Sequence, residues 1–316
     1  MGERENLSDR WPSSGACYLC GEVGSLCRSH IIPKFVGDWL RQTGVTGRLR
    51  SSQAPDRLVQ DLAWRYMLCA KCEGLFGRFE SDVCEGIFRP LHDRTAKRFR
   101  YGPSFARFAV SIVWRALVVL RREGRLQGFD QCPGCADAAE NTWRGFLSGQ
   151  AKTPAPNVVH ALPLDIPTNL DTTGLSPYWG RFVLRTPAIG ARYRGGSGYI
   201  IVKMARLIVF GVVVPGPERK DWRRTQLHVG EGAWGVDKWH VPGWFRHYLD
   251  NGARKIQEVD QGLSARQKRT SRARADELVA RDPAAIAASD AFRAFEKDLD
   301  LFGEVVFPGN EDDEPV

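Results

Sequence analysis

Two Cys-x-x-Cys pairs, 17-CYLC-20 and 69-CAKC-72, constrain the N-terminal part of this 316-residue chain more than any other feature. Zinc takes four ligands in a tetrahedron at about 2.0–2.3 Å, and a Cys-x-x-Cys turn presents two thiolates to one ion. Cys17, Cys20, Cys69 and Cys72 therefore make a complete set for a structural Zn²⁺. The 48 residues between the pairs exceed the spacing of many zinc ribbons, so the insert must be structure in its own right.

The chain holds eight cysteines. In a chain of this size and expected compartment they favour metal or free thiols over disulfides. A third pair, 132-CPGC-135, reads three ways: a loop thiol pair, half of a second metal site, or a redox dithiol. The redox reading lacks the βαβ surroundings of thioredoxins. Cys27 and Cys84 stand apart from any such pair.

Charge is unevenly distributed. Residues 181–281 carry 20 Lys and Arg against 9 Asp and Glu, whereas 282–316 carry 2 against 10. A basic region followed by an acidic tail suggests an anionic partner. The most lipid-like run, 108-FAVSIVWRALVVL-120, is 13 residues long and includes Arg115. A spanning helix needs about 20 apolar residues, so this run is expected to be a core helix and no membrane partner is expected. The N-terminus MGERENLSDR has no apolar stretch to mark it for secretion, and Asn6 stands where myristoylation wants Ser or Thr. A cytoplasmic location is expected.

The β-branched residues of 30-HIIP-33 and the following proline place His30 on or beside a strand. A helical turn or more follows at 35–40. Apolar residues then recur at three- and four-residue steps through 69–88, predicting a helix that Pro90 ends or kinks. A second apolar helix is predicted over about 104–123. Beyond 151-AKTPAPN-157 the pattern turns to strands at 158–164, 181–185, 199–214 and 225–230, then to helices over 242–259, 264–281 and 290–301. The expected fold is α+β, divided as a zinc-bearing domain over 1–100, a helical connector with the CPGC loop over 101–157, a β-rich then helical domain over 158–303, and an acidic tail over 304–316.

A cysteine turn, an extended hairpin, and a second cysteine pair opening a helix is how a treble clef finger is built. With 17-CYLC-20, 29-SHIIP-33 and 69-CAKCE-73, residues 15–90 resemble the HNH, or ββα-metal, nuclease family. The resemblance implies a metal-dependent endonuclease that hydrolyses phosphodiesters, DNA being favoured, in host defence or mobile elements. It implies His30 as general base, a task suited to a group whose ordinary pKa is near 6.5. Ser29 stands where the family has a metal-binding Asp, and Glu73 where it has His or Asn, so Ser29 and Glu73 would hold a catalytic Mg²⁺ or Mn²⁺. Replacing Asp by Ser removes one anionic ligand and Glu73 restores one.

Each residue also has a plainer reading. His30 could pack beside Ile31 and Ile32 with its nitrogens satisfied by carbonyls, and Glu73 could be a helix N-terminal carboxylate favoured by the macrodipole. Glu80, two turns after Glu73, reads as a supporting group, a ligand to another ion, or solvated surface. Gln60 and Asp61 are further candidates to approach the site. Arg266, Lys268, Arg269, Arg272 and Arg274 form a run that could contact phosphates or line a solvated helix. Trp222, Trp234, Trp239 and Trp244, with Arg223 and Arg224, could stack on unpaired bases, although core tryptophans are the commoner outcome. The alternative function is a non-catalytic zinc-finger protein that binds nucleic acid or a protein partner. No oligomeric state is implied.

Overall fold

The computed structural model describes residues 11–51, 54–59, 61–235 and 239–303. Gln60, the first ten residues and the acidic tail 304–316 lie outside them. The fold is mixed α and β. Along the chain come β1 (Ser14–Ala16), β2 (Val23–Ser25), β3 (Cys27–His30), α1 (Lys34–Gln42), β4 (Leu49–Ser51), β5 (Ala54–Val59), β6 (Trp64–Leu68) and α2 (Ala70–Val83). A π turn, Cys84–Phe88, then leads into α3 (Arg89–His92). The wide turn lets the helix run past Pro90, whose ring would clash with a carbonyl of a regular preceding turn.

Next come β7 (Arg98–Tyr101), α4 (Pro103–Arg122), α5 (Cys135–Leu147), β8 (Val159–Pro163), α6 (Trp179–Arg185), β9 (Ala188–Arg194), β10 (Ser197–Met204), β11 (Leu207–Val214) and β12 (Gly232–Gly235). The chain closes with α7 (Phe245–Gln261), α8 (Ala265–Arg281), α9 (Pro283–Ala288) and α10 (Asp290–Phe302). Three expected strands are corrected. Residues 181–185 are helical within α6, 199–214 is not one strand but the antiparallel pair β10 and β11, and 225–230 form no strand, only a bridge from Gln226 to His160.

Contacts group the chain into two units that cross the linear boundaries expected from composition. Among the described residues, one gathers 11–35, 62–163 and 187–242; the other gathers 36–61, 164–186 and 243–303. In the first unit, β8, β11, β10 and β9 form an antiparallel sheet in that order. Helix α4 lies against this sheet and between α2 and α5. By length and composition α4 could cross a membrane, but its residues from Phe105 to Leu120 are almost all buried inside the protein. Arg107 is its outward exception in that span.

Close packing over the sheet needs a glycine at 211. A Cβ there would come within 2.7 Å of the Trp143 ring and 2.8 Å of Val113, while the Trp143 Nε1 donates to the Asn157 carbonyl at 2.7 Å. The β10–β11 turn has no glycine. Ala205 takes φ 52°, and the fully buried Lys203 donates from Nζ to the Ala205 carbonyl at 2.8 Å. Burial holds that ammonium well below its ordinary pKa.

In the second unit Asp298, wholly buried, accepts bonds from the Gly180 amide and from Arg181 Nε, the latter at 2.7 Å, and so ties α10 to α6. Arg185 donates to Thr43 Oγ1 at 2.9 Å and to the Leu40 carbonyl at 3.0 Å. Arg50, from the β4–β5 hairpin, donates to Ser271 Oγ at 2.6 Å on α8.

Candidate metal centre

The first cysteine pair sits in a tight turn. Gly21 takes φ 78°, in the left-handed region that favours glycine, and its amide donates to the Cys17 carbonyl at 2.8 Å. The Tyr18 amide donates to Met67 on β6 at 3.0 Å, which brings this turn to the start of α2. There Cys69 is the residue before the first helical turn and Cys72 lies inside it. The extended backbone at Cys69 (φ −68°, ψ 163°) turns its amide to Cys17 Sγ at 3.3 Å.

The sulfurs of Cys17, Cys20, Cys69 and Cys72 all lie within 4.8 Å of one another. A tetrahedral ion with Zn–S bonds of about 2.3 Å requires sulfur–sulfur edges of about 3.8 Å. Cys20 and Cys69 stand 3.8 Å apart. These four residues can hold a metal such as zinc.

Burial, backbone hydrogen bonds and the neighbouring thiols move the cysteines in opposite directions. Burial raises the Cys17 thiol, but hydrogen bonds from the backbone at Cys20, Cys69 and Leu19 outweigh it, and the group lies below its ordinary value. Burial, then the hydrogen-bonding thiols of Cys69 and Cys20, push Cys72 far up. Four sulfurs this close cannot all ionise without a counter-charge, and a bound divalent ion supplies it. The third pair does not converge on them: Cys132 and Cys135 form a disulfide at the start of α5, which departs from the loop-thiol and metal half-site readings and is the oxidised form of a dithiol.

Beside the sulfurs, β3 pairs antiparallel with β6, His30 opposite Trp64 and Ser29 opposite Arg65. Ser29 is fully buried, and its Oγ donates to Glu73 Oε2 on the first turn of α2 at 2.6 Å. A buried hydroxyl needs such a partner. The expected site residues Ser29 and Glu73, 44 positions apart, are thus in direct contact. His30 ends β3, half-buried, and its carbonyl accepts a bond from Arg115 Nη1 at 2.6 Å.

No protein-family model, curated protein or solved structure matches this chain. The chemistry of the site therefore rests on its own geometry. Among the described residues, the cysteine set is the one group of three or more His, Cys, Asp or Glu side chains arranged to hold an ion. Glu73 and Ser29 are a carboxylate and a hydroxyl, which suit a hard cation only if water and substrate oxygens complete the shell.

Arg115 is the residue that sequence reasoning passed over, noting it only as a charge that interrupts an apolar run. A lone arginine inside a core helix is itself a signal, because a buried charge must find partners. Glu80 is one of them, its Oε1 2.6 Å from Arg115 Nη2. Its role as solvated surface is thereby replaced by an ion pair.

The expected phosphate-contacting residues Arg266, Lys268, Arg269, Arg272 and Arg274 belong to the second unit. At about 100° per residue, the exposed Arg266, Lys268, Arg269 and Arg272 fall within an arc of about 160° on α8. Arg274 is half-buried and shares the opposite side with Gln267, Ser271 and Leu278, the side that receives Arg50. It is not part of the exposed basic face. Trp222 and Trp234 are buried among Phe210, Tyr199, Phe99 and Phe105, so they are core rather than stacking platforms.

Proposed function

We propose that this chain is a metal-dependent nuclease of the HNH kind, built on a treble clef finger whose Cys17, Cys20, Cys69 and Cys72 hold structural zinc. The observation that carries the reading is the 2.6 Å contact between Ser29 and Glu73, next to His30 and beside the four sulfurs. It joins the residues of 29-SHIIP-33 to the residue after the second cysteine pair, the two places where the resemblance puts the reacting groups. A hard divalent cation held by Glu73 and Ser29 would neutralise charge on the scissile phosphate and the leaving oxygen. His30 accepts a proton from the attacking water, and the exposed cations of α8 are a separate candidate for contacting nucleic-acid phosphates. DNA is the favoured substrate.

The alternative is a zinc-held scaffold that binds nucleic acid or a protein without cutting. The single carboxylate, already engaged by Ser29, favours it over a site with two acidic ligands. Purified protein incubated with plasmid and single-stranded DNA in Mg²⁺, Mn²⁺ or EDTA separates the two. Metal-dependent cleavage supports the nuclease; DNA binding without cleavage under every metal supports the scaffold.

A further inference from the structure

The guanidinium of Arg115 occupies an unusual place for a charge. It is 1% exposed, in the middle of the most buried helix of the first unit. Its Nη1 donates to the His30 carbonyl and its Nη2 to Glu80 Oε1, both at 2.6 Å. Nε points to the Ser111 carbonyl at 3.4 Å, and the guanidinium carbon lies 5.5 Å from the centre of the Phe76 ring. Taking a charge out of water costs several kcal/mol, and a volume-matched apolar side chain at such a position is often no less stable. Filling space in α4 therefore does not account for an arginine.

What the arginine adds is direction. Its planar fork bonds two fixed acceptors at once, which a lysine ammonium on its flexible stem does not reproduce. The two acceptors lie on β3 and α2, the same elements that Ser29 and Glu73 connect. Glu73 and Glu80 are seven residues apart, so they lie about 10 Å apart along nearly one face of α2. At residue 29 the strand is tied to that face directly, through a side chain. At residue 30 it is tied through its main chain, by way of Arg115, to Glu80.

We infer that Arg115, held by Glu80, is a positioning residue for the reaction: it fixes the main chain at His30 and hence the direction in which the imidazole leaves the strand. The inference rests on the nuclease reading of His30. Arg115 would act through the His30 main chain and not on the reacting atoms. A general base needs hydrogen-bond reach to the proton that it takes, and misplacement by about 1 Å can lower a rate by about 100-fold.

The experiment compares full-length wild type, Arg115→Lys and Glu80→Gln, each assayed for zinc content, thermal unfolding, and kcat and KM of plasmid cleavage. Histidine ring signals are followed by NMR in protein labelled at its six histidines. Glu80→Gln keeps the arginine and its packing, so it remains informative if changes at Arg115 reduce folding. The expected result is one zinc per chain in all three proteins, kcat lowered about 10-fold or more in both variants, and KM unchanged within about twofold. The His30 ring signal moves while the other five stay. A merely structural role would lower the melting temperature and leave kcat per folded, zinc-loaded molecule as in wild type, with no shift at His30; that result overturns the inference alone. Wild type that cleaves no nucleic acid with any metal overturns the nuclease reading, and this inference with it.

Discussion

Ser29 Oγ donates a hydrogen bond to Glu73 Oε2 at 2.6 Å across 44 positions of sequence, closing a strand onto the first turn of a helix beside four converging cysteines. Of the two, Glu73 is the ordinary ligand type for a hard cation, and Ser29 is held to it. Their contact, the adjacent His30 and the cysteine set make one compact region, whose parts can be separated experimentally from the scaffold that carries it.

The cysteine set should bind one zinc per chain. Binding free energies of structural zinc are on the order of 10 kcal/mol, and the ligands must be deprotonated to bind. Cys72→Ser or prolonged chelation should remove the metal and lower thermal stability sharply, and zinc should be released progressively as pH falls because protons compete for the thiolates. Elemental analysis across a pH series checks this. Full zinc retention in Cys72→Ser would show that the four sulfurs are not the ligands.

Gly211→Ala should destabilise the first unit by about 1–3 kcal/mol, since the added methyl meets the Trp143 ring and Val113 and the interior has no slack to accept it. Chemical denaturation monitored by tryptophan fluorescence reports the change. An unaltered midpoint would mean that Trp143 can shift freely.

His160 gives a pH signature. Burial first, then the charge of Arg219, lower its pKa from 6.5 to about 4. The unfolded chain therefore binds a proton between pH 6.5 and 4 that the folded chain refuses, so stability rises with pH through that window and falls as the solution is acidified. The full loss below the window is about 3 kcal/mol. In His160→Gln that share of the acid slope should vanish; a variant as acid-sensitive as wild type over pH 4–6.5 would assign the slope to other groups.

On α8, each of Arg266, Lys268, Arg269 and Arg272 changed to Ala should weaken DNA binding at all sequences and reduce the salt slope by about one for every phosphate that the variant no longer neutralises. Arg274→Ala should leave the slope unchanged, because that side chain turns to the hairpin side of the helix. Fluorescence anisotropy over a salt series distinguishes the two behaviours. Equal slopes for all five variants would contradict the placement of the basic face.

Much of this molecule is legible in its residues, and the illegible parts have physical reasons. The cysteine pairs announce the candidate metal centre because two short turns of fixed spacing have few other uses, and α4 announces itself by apolar residues on every side. Residues 181–185 mislead: in a five-residue apolar segment the periods of helix and strand are not separable, and what fixes α6 is Asp298 accepting from Gly180 and Arg181 more than a hundred positions away. The β10–β11 turn hides because Ala205 adopts a positive φ without the glycine or asparagine that usually marks one. Arg115 is visible as an anomaly, but its partners His30 and Glu80 lie 85 and 35 positions upstream, beyond any local pattern.

The most direct test of the central claim is a single-turnover cleavage assay on plasmid DNA with Mg²⁺ or Mn²⁺, comparing wild type with His30→Ala and Glu73→Gln, each verified to be folded and to contain zinc. The account predicts cleavage by wild type that EDTA abolishes and that each substitution lowers by about 100-fold or more, in keeping with loss of a general base or of the carboxylate that holds the cation. Undiminished cleavage by zinc-loaded His30→Ala and Glu73→Gln, or no cleavage by wild type under any metal, would contradict it.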